Sequence, residues 1–143
     1  MAVYVVYHPD CSRSVRLAQG LYDWLVRSGS EGGGVGVPLY VRCVVREGAL
    51  APEVDWDAAE LNVVVALVGH HVVGDASWRR AVVGLAEEGE RRRPTAKEGG
   101  AGGRVLLLPV SLDGAFYRAG QLYEEFNPVR LVEAQPPRDV RVL

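Results

Sequence analysis

The run Asn62-Val63-Val64-Val65-Ala66-Leu67-Val68-Gly69 constrains the fold more than any other stretch of this chain. After Asn62 its unbroken apolar, largely β-branched character predicts a strand covered on both faces, the usual condition of strands in parallel sheets. Beyond it come His70, His71 and a polar turn, and the amphipathic pattern then predicts a helix from Ala76 to about Arg91 with Val82, Val83, Leu85 and Ala86 toward the sheet. Residues just past the carboxyl end of such a strand emerge at the edge where open α/β sheets bind their ligands, and here they are two imidazoles.

The rest of the chain repeats this alternation. Ala2 to Tyr7 reads as a strand that ends at His8-Pro9-Asp10, because proline cannot donate to the ladder. From Ser12 to about Arg27 the residues Val15, Ala18, Leu21, Leu25 and Val26 recur at helical spacing, with Asp10 or Ser12 available as a cap. A glycine-rich break over Ser28 to Gly36 precedes a strand from Pro38 to Val45, and a polar loop runs from Arg46 to Trp56. Further strands are expected at Leu61 to Val68, at Arg104 to Val110 after a glycine-rich loop, and over Pro128 to Val132. Asp113 to Asn127 carries no clear pattern. The alternation predicts an α/β three-layer sandwich around a parallel sheet of about five strands in the order 2-1-3-4-5. Residues 1–132 are read as one domain and 133–143, with Pro136-Pro137, as a tail or the start of a linker.

Composition narrows the classes of function. With 16 basic against 18 acidic residues the net charge of -2 gives no general attraction to nucleic acid or to anionic membranes. No apolar run is long enough to span a bilayer, and the two cysteines, Cys11 and Cys43, lack metal-motif spacing, so a cytoplasmic location is expected. Gly32 to Gly36 has the glycine content of a phosphate loop. It follows a helix and precedes a strand, however, and lacks the Gly-Lys-Ser/Thr ending, so it reads as a linker. Arg91-Arg92-Arg93 stands beside Glu87, Glu88 and Glu90, which marks a mixed-charge helix end rather than a nucleic-acid patch.

A strand leading to His8-Pro9-Asp10 and an amphipathic helix, then Asn62 to Gly69 with Asp75-Ala76-Ser77-Trp78 opening the next helix, together resemble a bacterial Toll/interleukin-1 receptor (TIR) domain. The resemblance covers most of the chain in order, at the level of loose motifs. It implies a flavodoxin-like fold used in immune signalling, in bacteria often as an antiphage effector that destroys NAD or makes a nucleotide signal from it. It also implies a glutamate four residues beyond the tryptophan in enzymatic members, and that position is Val82 here. Valine can neither accept a hydrogen bond from a ribose hydroxyl nor stabilise developing positive charge. Glu87 and Glu88 lie well past Trp78, about 13–15 Å from it along a helix at 1.5 Å per residue, poorly placed to substitute. By position the resemblance makes the loop with Arg46, Glu47, Glu53, Asp55 and Trp56 an assembly surface.

In the expected strand order the first and third strands are neighbours, so His8, Asp10, Ser12 and His70 are candidates to converge at one rim. His71, Asp75 and Trp78 complete the candidate set for NAD or a related nucleotide; alternatively, Asp10 and Ser12 are helix caps and Trp78 packs under a loop. No metal site is expected, since no third ligand stands near the two histidines in sequence. Three functions stay open on the sequence. One is a TIR-like module that associates with itself or with other TIR-like or effector domains, without autonomous catalysis. Another is an NAD-cleaving effector, an NAD glycohydrolase or nucleotide-signal producer, with an atypical site built from His8, Asp10, His70 and Asp75. The third is an unrelated nucleotide or small-phosphate binding domain.

Overall fold

The computed structural model describes residues 1–31, 37–43, 53–92, 103–115 and 129–130. The expected tail 133–143 lies outside them, as do Arg46 and Glu47 of the expected assembly loop and most of the Asp113 to Asn127 segment. Along the chain come β1 (Ala2–Tyr7), α1 (Ser12–Glu31), β2 (Leu39–Arg42), β3 (Leu61–Val68), α2 (His70–Gly74), α3 (Ala76–Arg91), β4 (Arg104–Ser111) and the two-residue β5 (Val129–Arg130). Every strand pair is parallel. The four main strands run in the order β2-β1-β3-β4, and β5 pairs with the end of β4 through Val110 and Ser111.

Period-two alternation divides the core into two layers. On one face Tyr4 and Val6 of β1 join Val64, Ala66 and Val68 of β3 against Trp78, Val82, Leu85 and Ala86 of α3. On the other face Val5 and Leu67 meet Cys11 and Ala18, with Leu17 and Leu21 of α1 packed beside them. Helices therefore cover both faces of the sheet, which is why β3 can be apolar from Val63 to Val68. Burying each large aliphatic side chain contributes about 1.5–3 kcal/mol, so the Val82 and Leu85 contacts anchor α3 firmly.

At the amino-terminal end of the sheet, the Asn62 amide donates to the carbonyls of Trp56 and Ala59 at 2.6 and 3.0 Å. Gly103 closes over the same turn; a Cβ there would lie 2.4 Å from the carbonyl oxygen of Ala59 and 2.7 Å from that of Trp56. Edge strand β2 is fastened by aromatic contact: Tyr4 and Tyr40 stack at 4.9 Å, and the Arg42 guanidinium stands over both rings. The Tyr4 hydroxyl then donates to the Asp55 carbonyl at 3.0 Å. This end of the sheet is structural. The carboxyl ends of the strands carry the polar cluster.

Several element bounds depart from the sequence reading, among them β2, which covers Leu39–Arg42 of the expected Pro38 to Val45. Helix α1 runs to Glu31, past the expected end near Arg27, and the turn after Gly69 is a five-residue helix rather than irregular chain. Gly69 starts that helix from an extended conformation, and its carbonyl accepts from Val73 N–H at 3.1 Å. The Asp75 N–H donates to the His71 carbonyl, and Asp75 then caps α3. Two valines in five residues give little warning of a helix, since β-branched side chains lower its propensity.

Candidate functional site

Because the strands are parallel, β1, β3 and β4 all end at one rim. Past β1 comes His8, past β3 come Gly69, His70 and His71, and past β4 come Leu112 and Asp113. The short helix α2 solves a geometric difficulty. Consecutive residues of an extended chain point to opposite sides, whereas the helical turn sets the His70 and His71 rings together at 4.1 Å between centroids. His71 in turn lies 5.5 Å from His8, and His8 lies 5.2 Å from Trp78.

His8 is buried. Its Nδ1 accepts the Asp10 backbone N–H at 3.1 Å, so in the neutral ring the proton belongs to Nε2. That Nε2 faces the Asp75 carboxylate at 3.8 Å, within ion-pair range but too long for a hydrogen bond. Asp75 Oδ1 accepts from the backbone N–H groups of Ser77 and Trp78 at 2.8 and 3.1 Å. Those two hydrogen bonds, from Trp78 and then Ser77, hold its carboxyl below the usual aspartate range; desolvation opposes them and His8 adds to them.

His70 is fixed by Asp113, a residue the sequence reading did not select. Asp113 Oδ2 accepts from the His70 backbone N–H at 3.0 Å and meets its Nδ1 at 2.9 Å. Burial alone would raise the Asp113 carboxyl, but hydrogen bonds from the His70 ring, the His70 N–H and the Ala115 N–H outweigh it and hold the group low. An ionised carboxylate accepts only, so Nδ1 of the neutral His70 ring is the donor and Nε2 is left as a lone pair. His8 and His70 therefore take opposite tautomers.

The remaining expected residues are distributed unevenly. Asp10 enters through its backbone, and Ser12 opens α1 as an exposed residue. The hydroxyl that ties the turn is that of buried Ser14, which donates to the carbonyls of His8 and Cys11 at 3.2 and 2.8 Å. Arg13 reaches the chain just past β4 and donates to the Leu112 carbonyl at 2.5 Å. Trp78 is buried in the core beneath His8, a floor to the cluster rather than an open stacking surface. Val82 is 1% exposed, inside the apolar layer between α3 and the sheet. Glu87 is exposed; Glu88 bonds to Arg91 and Arg92, which hold its carboxyl low, so both belong to the outer surface of α3.

Of the expected assembly loop, Glu53 and Asp55 are exposed, and Trp56 is half-buried. Trp56 packs against the core under the guanidinium of Arg92, 6.0 Å from the ring centroid. Large exposed apolar side chains gather instead on α1, where Trp24 is 64% exposed and Val15 and Tyr22 are also exposed.

Asp113 had a readable signal. Parallel strands end at a common rim, so the polar residue just past the fourth strand belongs with those past the first and third. Among the described residues no group of three or more His, Cys, Asp or Glu side chains converges to hold a metal ion, and no helix is long and apolar enough to cross a membrane. Comparison with family models, with curated proteins and with solved structures gave no match.

Proposed function

We propose that this chain is a TIR-like signalling and assembly module with a flavodoxin-like fold, of the kind used in bacterial defence or regulation. In this reading it associates with a second copy of itself, or with other TIR-like or effector domains, and does not cleave NAD on its own. The observation that carries the reading is Trp24, a tryptophan left 64% exposed on α1. Tryptophan is prominent among residues that dominate binding energy, so one left this far in solvent favours a contact surface. Buried Val82 supports the non-catalytic half of the proposal, because nothing ionisable occupies that position and its surroundings are apolar.

A second reading, an NAD-cleaving effector with an atypical site, draws on the His70–Asp113 pair at the rim, whose free Nε2 has the geometry of an oriented base. Incubating the purified chain with NAD, dilute and then concentrated, and following nicotinamide release separates the two. The assembly reading expects no release under either condition. Release that disappears in His70→Gln would replace it with the second reading.

A further inference from the structure

The cover that α1 gives its face of the sheet is partial. Along β3 the residues turned to α3, Val64, Ala66 and Val68, are fully buried. On the alternate side Leu67 is buried near the rim, but Val65, Val63 and Leu61 are only half-buried. Their neighbours on β4 continue the strip: Leu108 beside Val65 is half-buried, and Leu106 beside Val63 is 46% exposed. Helix α1 packs chiefly on β1 and β2, which leaves this half of the face open among the described residues. A parallel strand as apolar as β3 normally has both faces covered along its length.

Beside this strip stands Trp24. Arg13 reaches Leu112 just past β4, so that flank of α1 is turned toward β4. Trp24 lies about three turns farther along the same flank, toward the end of the sheet that carries Val63 and Leu106. With 64% of its surface in solvent, it does not close the strip within its own chain. Charge is arranged alongside both apolar groups: Asp23 precedes Trp24, and exposed Arg104 precedes Leu106 on the same face of β4.

We infer that the open half of this face seats a second copy, with Trp24 of each chain on Leu106, Val63 and Leu108 of the other and Asp23 of each beside Arg104 of the other. Such a contact is isologous and closes a two-fold dimer. It completes the cover of β3 and sets opposite charges next to each buried tryptophan. The inference rests on the assembly reading and names the surface that receives Trp24.

The test is charge reversal followed by mixing, read by sedimentation velocity on the full chain. Asp23→Arg puts like charges at both symmetry-related contacts, and so does Arg104→Asp; each alone should weaken self-association by about tenfold or more. Mixed in equal amounts, the two variants should recover native association, because both contacts then join an arginine to an aspartate. Arg80→Asp and Glu87→Arg, the same charge changes on exposed positions of α3, should associate like the native chain, alone and mixed. Leu106→Lys should abolish association and leave the urea midpoint of the dilute chain unchanged. Native association that survives both reversals, or reversed variants that stay apart on mixing, would overturn the inference and leave the assembly reading standing. Leu106→Lys with a lowered midpoint and intact association would place the cover within one chain and overturn it as well. A native chain that is monomeric at every concentration would remove both.

Discussion

Asp113 Oδ2 approaches Gly69 so closely that a Cβ on that glycine would stand 3.1 Å from it. The approach lets one carboxylate take both the backbone N–H and the ring Nδ1 of His70, tying the end of β4 to the start of α2. Gly69→Ala should push the carboxylate outward by a few tenths of an ångström and weaken both bonds. Amide exchange at His70 is expected to accelerate in that variant, whereas Gly74→Ala, with nothing within 4 Å of its added methyl, leaves it unchanged. Unaltered protection at His70 in Gly69→Ala would argue against this bracing.

The same carboxylate makes stability depend on pH in a defined direction. Asp113 titrates below its ordinary range when folded and near about 3.9 when unfolded, so its contribution is complete above that value and is lost as pH falls through the lower folded value. Urea unfolding from pH 6 downward should show wild type losing stability at the acid end, with Asp113→Asn following a shallower slope. The difference should be modest because solvent screens a side chain that is about one-third exposed. Identical slopes would remove the pair from the acid-stability account.

Placing a glutamate at position 82 should not create an enzyme. Val82 is packed among Val64, Leu85 and Trp78, and a carboxylate there would be buried without a partner. Val82→Glu is expected to lose on the order of 3 kcal/mol of unfolding free energy, read as a lower urea midpoint, and to release no nicotinamide from NAD. A stable variant that gained hydrolysis would show that position 82 opens on the cleft.

Two further glycines give opposite expectations. Gly103→Ala drives a methyl into the carbonyls of Ala59 and Trp56 and should cost about 1–3 kcal/mol, as overpacking does. Gly20→Ala, inside α1 with open space around it, should stabilise by about 0.5–1 kcal/mol through helix propensity. Thermal unfolding of the pair checks both, and equal effects would mean that the turn over Asn62 is looser than described.

Much of this architecture was legible because burial on two faces writes itself into composition. The apolar run of β3 and the pattern of α3 match their observed bounds, and adjacency of β1 and β3 sets His8 near His71, which packs on His70. What stayed hidden depended on contacts distant in sequence or on weak local signals. Asp113, 43 residues from His70, becomes readable only once the strand order places the end of β4 beside that of β3. Helix α2 rests on Gly69 and on the Asp75 cap of the following helix, not on the propensity of His71, Val72 and Val73. Trp56 and Trp24 could not be ranked from sequence, since spacing does not distinguish a tryptophan folded back under Arg92 from one left in solvent.

Association through Trp24 of α1 is read by sedimentation velocity from dilute to concentrated solution. The weight-average sedimentation coefficient should rise with concentration for the native chain and stay nearly flat for Trp24→Ala. A single monomeric species at every concentration in both proteins would contradict it.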